Sequence, residues 1–348
     1  MDVNSSNSMD VELQVLCSLE KSKIEGFASL LPEMICLVGA ESIYSLQKVI
    51  IVNDDQVPKT VNTIIKAIDP SASYTPRSAY PANAVSVPLE TKGELYCFIV
   101  MGKSYIEPLD TEHYHSPNTV LTLLEELLHV WVYTSAWHRR GYVQYRNREL
   151  PACYADLLTI ASQMCDEYVV IRRKSHLAAN LAVFEPEPGK GFMAGIINYG
   201  GNIFDEVSKG DEELEKIIVE AASGLRRVPN SWNDLMIVMY RLVFEPLSRN
   251  AAYCDDISGE MSGWMELQTI KLYRDLLSEY WEIIHDELIM VFDSNLHETE
   301  TCLKKIADAI EALLGKIGVD FRKMEDGKCW VSYSAVFFDN WHQENDIG

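Results

Sequence analysis

The 348-residue chain is predicted to adopt an α+β fold. Helix-period and strand-period segments alternate over roughly the first hundred residues, a long series of helix-period segments follows, and no internal repeat or low-complexity stretch interrupts either. The expected divisions are an N-terminal helical segment over 1–44, an α+β core over 45–180, and a mainly helical part over 181–348 that ends in a short hairpin.

Residues 10–30 carry helical spacing. QKVIIVND, 47–54, is a short strand closed by turn residues, and VPKTVNTIIKAID, 57–69, returns to a helix. SASYTPRSAYPANA is a loop by its Ser, Pro and Ala content. VSVPL and ELYCFIVMG are dense in β-formers and pair across the turn ETKG. A second loop, EPLDTEHYHSPN, leads into a helix over 121–133, with Ser116 or Asn118 placed to cap its start. Beyond the polar connection HRRGYVQYRNREL, Pro151 suits the first turn of the helix ACYADLLTIASQMCDEYVVIRRKSHLAANL. The segments DEELEKIIVEAASGL, NDLMIVMYRLVFEPL, WMELQTIKLYRDLLSEYWEIIHDELIMVF and ETCLKKIADAIEALLGKIG are helical, and VDFRKM pairs with KCWVSYSAVFF across EDG.

Hydrophobic residues make up 47% of the chain, enough to bury a large core. With 52 acidic against 30 basic residues the formal charge is −22, which opposes nucleic acid or an anionic membrane as partner; Arg139, Arg140, Arg146 and Arg148 form the one basic cluster. No apolar run approaches the roughly 18 to 20 residues that span a bilayer. MDVNSSNSMD lacks a basic region and an apolar region, so a cytoplasmic location is expected. The eight cysteines include no C-x-x-C pair and are expected to be reduced core residues.

LTLLEELLHVWVY, 121–133, is apolar on every side of a helix, yet holds Glu125, Glu126 and His129. Burying such groups is costly without compensation, by a metal ion or by a polar network. Glu125 and His129 are four apart and project together, with Glu126 beside them. That is the geometry of H-E-x-x-H, in which two side chains at i and i+4 hold zinc and the intervening Glu serves as general base, but here the first ligand position is Glu. A third ligand is needed. In the next helix the apolar stripe runs Cys153, Leu157, Ile160, Met164, Glu167, Ile171, which puts the Glu167 carboxylate where an apolar side chain is expected.

The strand ELYCFIVM, a loop, an EExxH helix and a downstream helix with Asp-Glu-Tyr resemble the zincin metallopeptidases of the type whose third ligand is a Glu on a following helix. DEYVVIRRKS is similar to the Glu-Tyr-x-x-x-Arg stretch of bacterial zincin-like proteins, and the resemblance covers roughly residues 85–180. It implies a zincin-like core within 45–180 and a hydrolase acting on a protein or peptide. It assigns Glu126 the general base, His129 and Glu167 the metal, with Glu125 in place of the missing histidine. Tyr168 and Arg172 become partners of the ligands or of the transition state. One imidazole with two carboxylates is a harder, more anionic set than His₂Glu, so manganese or iron stands beside zinc as an expected ion.

Two other readings accompany this one. The first is a catalytically degenerate zincin, an interaction or regulatory protein in which Glu126 with Arg172, or His129 with Glu167, forms a metal-free polar cluster. The second is a di-iron carboxylate protein, because Glu282 and His285 form another E-x-x-H. Against it, Glu282 lies about 200° from both Tyr280 and Ile284 of the stripe Ile270, Tyr273, Leu277, Tyr280, Ile284, Leu288, on a charged face. His113, His115 and His138 flank the EExxH helix as replacement ligands or surface histidines.

Overall fold

Strand and helix alternate from Glu12 onward: β1 (Glu12–Val15), α1 (Lys21–Val38), β2 (Leu46–Val52), α2 (Val57–Ile68), β3 (Ala84–Thr91), β4 (Glu94–Gly102) and α3 (Pro117–Thr134). Next come α4 (Ala152–Val183), α5 (Glu245–Ile257), α6 (Ser278–Asp293), α7 (Thr299–Lys316), β5 (Val319–Lys323) and β6 (Cys329–Tyr333). The computed structural model describes residues 11–70, 83–109, 117–135, 152–183, 235–236, 239–240, 244–257, 273–323 and 329–333. The α+β class is therefore found. The chain divides into two units, Met1–Arg139 with Leu177–Gly200, and Arg140–His176 with Gly201–Gly348.

In the first unit the sheet order is β1-β2-β4-β3, with β1, β2 and β4 parallel and β3 antiparallel at the edge. β3 and β4 turn at Lys92 and Gly93, both at positive φ (53° and 78°), the pair of conformations that a tight hairpin turn with the sheet's own twist demands. Alternation along the strands gives the sheet two apolar faces. Ile50, Val52, Val87 and Val100 pack with Val57 and Val61 of α2. The other set, Val49, Ile51, Ile99 and Met101, is fully buried, and Ser86 of that parity meets Glu126 of α3. α1 packs against α3, and α3 lies on β3 and β4.

The expected helix over 10–30 is corrected at its start. Residues 12–15 form β1, hydrogen-bonded to β2 from Glu12↔Lys48 to Val15↔Ile51, and the helix begins only at Lys21. A four-residue segment with both spacings is decided by the partner it finds, here the buried run of β2. The sheet thus begins ahead of residue 45.

In the second unit α4 has eight consecutive buried residues, 164–171, so its centre is covered on all sides. α6 packs on α7, whose stripe Leu303, Ile306, Ile310, Leu313 is buried, and β5 and β6 form an antiparallel pair. A π-helical turn, Tyr273–Leu277, precedes α6. The buried stripe of α6 runs Leu277, Trp281, Ile284, Leu288, and Tyr280 is only half-buried, unlike the expectation: at 100° per residue Trp281 stands about 40° from Leu277 and Tyr280 about 60° away on the other side. α5 starts near the end of the expected helix NDLMIVMYRLVFEPL and runs on to Ile257. Cys153 is disulfide-bonded, which corrects the expectation of eight reduced thiols, while Cys17, Cys36, Cys97, Cys165 and Cys302 are free. Linear spacing carries no trace of cysteines that folding brings together. Ser116, Pro151, His113, His115, His138 and the arginine cluster 139–148 lie outside the described residues.

Candidate metal centre

α3 opens on Pro117, whose fixed φ and missing N–H suit a first helical position. Leu123, Leu124, Leu127, Leu128, Val130 and Val132 are all fully buried, and Thr122, Glu125 and Trp131 are half-buried. Into this setting the sequence puts Glu126 and His129, each 8% exposed, and the half-buried Glu125.

Each group is held by a neighbour. The Ser86 hydroxyl of β3 contacts both Oε2 of Glu126 and, at 2.9 Å, its main-chain carbonyl. One hydroxyl proton serves one acceptor at a time, and the charged carboxylate is the stronger. The His129 ring stacks on Tyr133 one turn on, with centroids 6.2 Å apart and 23° between planes. Tyr105, half-buried ahead of α3, has its phenol pushed up by burial and then by the charges of Glu126 and Glu125, with a hydrogen bond to Thr122 in opposition. No spacing rule pointed to Ser86 or Tyr105, since both act from other elements.

Glu167 is 4% exposed, within the covered centre of α4. Arg249 of α5 donates through Nη1 to its Oε2 at 2.6 Å. The next residue, Tyr168, is fully buried and donates its hydroxyl to Asp255 Oδ2, which also meets His285 Nε2 at 2.9 Å. Arg172 Nη1 donates to Tyr168 Oη at 2.9 Å and lies over the Phe292 ring. Burial first, then Asp255, drives the Tyr168 phenol far above its usual range, so it stays protonated. Tyr168 and Arg172 are therefore found in a buried network with Asp255 and His285 that joins α4, α5 and α6. Arg249 and Asp255, on a helix rich in small buried residues, are partners the sequence did not disclose.

Glu125 and His129 lie one turn apart on α3 of the first unit, and Glu167 lies on α4 of the second. Two carboxylates and an imidazole fit zinc, manganese or iron as donors. Neither Glu282 nor His285 belongs to a group of three possible metal ligands among the described residues. Glu282 is exposed, as its position off the apolar stripe predicts.

No protein-family model matches the chain, and no curated protein or solved structure matches it. Among the described residues no helix is long and apolar enough to cross a membrane.

Proposed function

We propose that Glu125, His129 and Glu167 hold a divalent metal ion, and that the protein is a metal-dependent hydrolase of zincin type acting on peptide bonds. The observation that carries the proposal is the burial of His129 and Glu167, each nine-tenths buried or more, with Glu125 one turn from His129 on the same helix, in a chain where each such group is costly to bury alone. The order of strand, EExxH helix and ligand helix is the one on which the resemblance rests. When bound, the ion supplies Lewis acidity toward a carbonyl and toward water.

The chain's own residues do the rest. Glu126 is the proton acceptor, its carboxylate adjacent in sequence to Glu125 and steadied by Ser86. The Tyr133 stack orients the His129 ring. Tyr168, kept protonated, and Arg172 act on the neighbouring ligand Glu167 by fixing α4 through Asp255. The Glu167–Arg249 pair favours a second reading, a catalytically degenerate relative in which Arg249 compensates the carboxylate and no metal is needed.

Elemental analysis of protein purified without chelator, beside His129→Ala and Glu167→Ala, separates the two. Stoichiometric metal in the parent, lost in both variants, supports the first reading, and Glu126→Gln should then keep the metal and lose hydrolysis in a peptide screen. A parent without metal, even after incubation with zinc, manganese and iron, sinks it in favour of the second.

A further inference from the structure

Glu167 and Arg249 are 82 positions apart in sequence, yet form one of the shortest ion pairs among the described residues, 2.6 Å between Nη1 and Oε2. The pair is asymmetric. The Glu167 side chain is 6% exposed and sits in the covered centre of α4, whereas that of Arg249 is 33% exposed. A long guanidinium at the edge of solvent can withdraw into water; a carboxylate in the middle of a buried helix cannot. Losing Arg249 removes a close positive charge from a buried carboxylate, which is unfavourable.

We propose that Arg249 is an internal counter-cation for Glu167, occupying the carboxylate in place of a metal ion and competing with it, and so setting the affinity of the site. The competition rests on the metal-binding reading given above. Two effects of Arg249 on a metal oppose each other. As a hydrogen-bond donor to a ligand it orients that ligand, an effect of about 10- to 100-fold in favour of binding. As a cation on the same carboxylate it repels an incoming ion of twice its charge, in a partly buried setting where salt and water screen poorly. Repulsion is the larger effect, because the orientation of Glu167 does not depend on Arg249 alone. Its neighbour Tyr168 is tied to Asp255 of the same α5, and Asp255 in turn to His285 of α6, so the helices stay in register when the arginine is removed.

The test compares the parent, Arg249→Met, Arg249→Lys, and Arg249→Met combined with Glu167→Gln, all as full-length chains stripped with chelator. Zinc chloride is titrated calorimetrically, and thermal unfolding is followed without metal. Arg249→Met should bind zinc at least tenfold more tightly and unfold at a lower temperature when metal-free; Glu167→Gln in that background should restore the temperature, and Arg249→Lys should resemble the parent. Unchanged or weaker zinc binding, with unchanged metal-free unfolding, overturns the proposal. If neither the parent nor Arg249→Met takes up zinc, the metal-binding reading fails by itself. The unfolding data then decide Arg249 alone: a drop reversed by Glu167→Gln upholds its role as counter-cation, and no drop removes it.

Discussion

Glu126 lies among leucines, and one hydroxyl from the sheet meets its carboxylate. Ser86 is the only small polar side chain that β3 turns toward α3 among neighbours Val85 and Val87, which belong to the opposite face. A hydrogen bond to an ionised group contributes about 1.5–3 kcal/mol, and the loss of Ser86 removes one of the contacts that replace water around a mostly buried carboxylate. Ser86→Ala should therefore destabilise the protein by about that amount in urea unfolding, while Ser86→Thr, which keeps the hydroxyl, should cost much less. A loss below about 0.5 kcal/mol, the range of an ordinary surface substitution, would mean that water replaces the hydroxyl and that Glu126 is held by something else. The same residue-scale logic explains Tyr168. Its hydroxyl proton is committed to Asp255 and its oxygen to Arg172, so its part is to position α4 and not to meet solvent.

Among the elements, the β3–β4 hairpin depends most visibly on one residue. Gly93 has φ 78°, and a Cβ built there meets nothing within 4 Å, so a side chain would suffer only from the backbone conformation. Gly93→Ala should cost about 1–2 kcal/mol, the left-handed penalty for an L-residue, and Lys92→Asn should recover a few tenths by easing its neighbour's positive φ. Chemical denaturation of both variants checks the pair; an Ala variant as stable as the parent would mean that the turn relaxes into another type. That hairpin was legible because its signal is local: β-formers on each side of a turn sequence. α2, α7 and the β5–β6 pair were legible for the same reason. β1 was not, because ELQV becomes a strand only through β2; the burial of Trp281 was legible but missed, since 100° per residue puts it nearer the stripe than Tyr280. The candidate site divides along the same line. Glu125 and His129 are visible as an i, i+4 pair and Glu167 as a carboxylate in an apolar stripe, whereas Arg249, Asp255 and Ser86 make contacts across elements, which no periodicity encodes.

For the molecule as a whole the governing quantity is the charge of −22, from 52 acidic and 30 basic residues. So large an imbalance acts against the folded state by self-repulsion. Local ion pairs act the other way, but those on helix surfaces are weak. Lys21–Glu25 and Lys304–Glu300 join side chains that are about half exposed or more, and such pairs are worth between nothing and about 1 kcal/mol each. Salt weakens both effects, shrinking the Debye length from ~30 Å at 0.01 M to ~10 Å at 0.1 M. Repulsion acts between charges many ångströms apart, so it is screened first, while contacts near 3 Å retain most of their attraction. The unfolding temperature of the metal-free protein should therefore rise by several degrees between 0.01 M and 0.3 M sodium chloride. A fall over that range would show that the close pairs outweigh the imbalance. Zinc at micromolar concentration in the higher salt gives the decisive contrast, because it adds nothing to the screening. A further rise there must come from ions bound to the native state, in proportion to the logarithm of zinc over its dissociation constant, and it should vanish in His129→Ala.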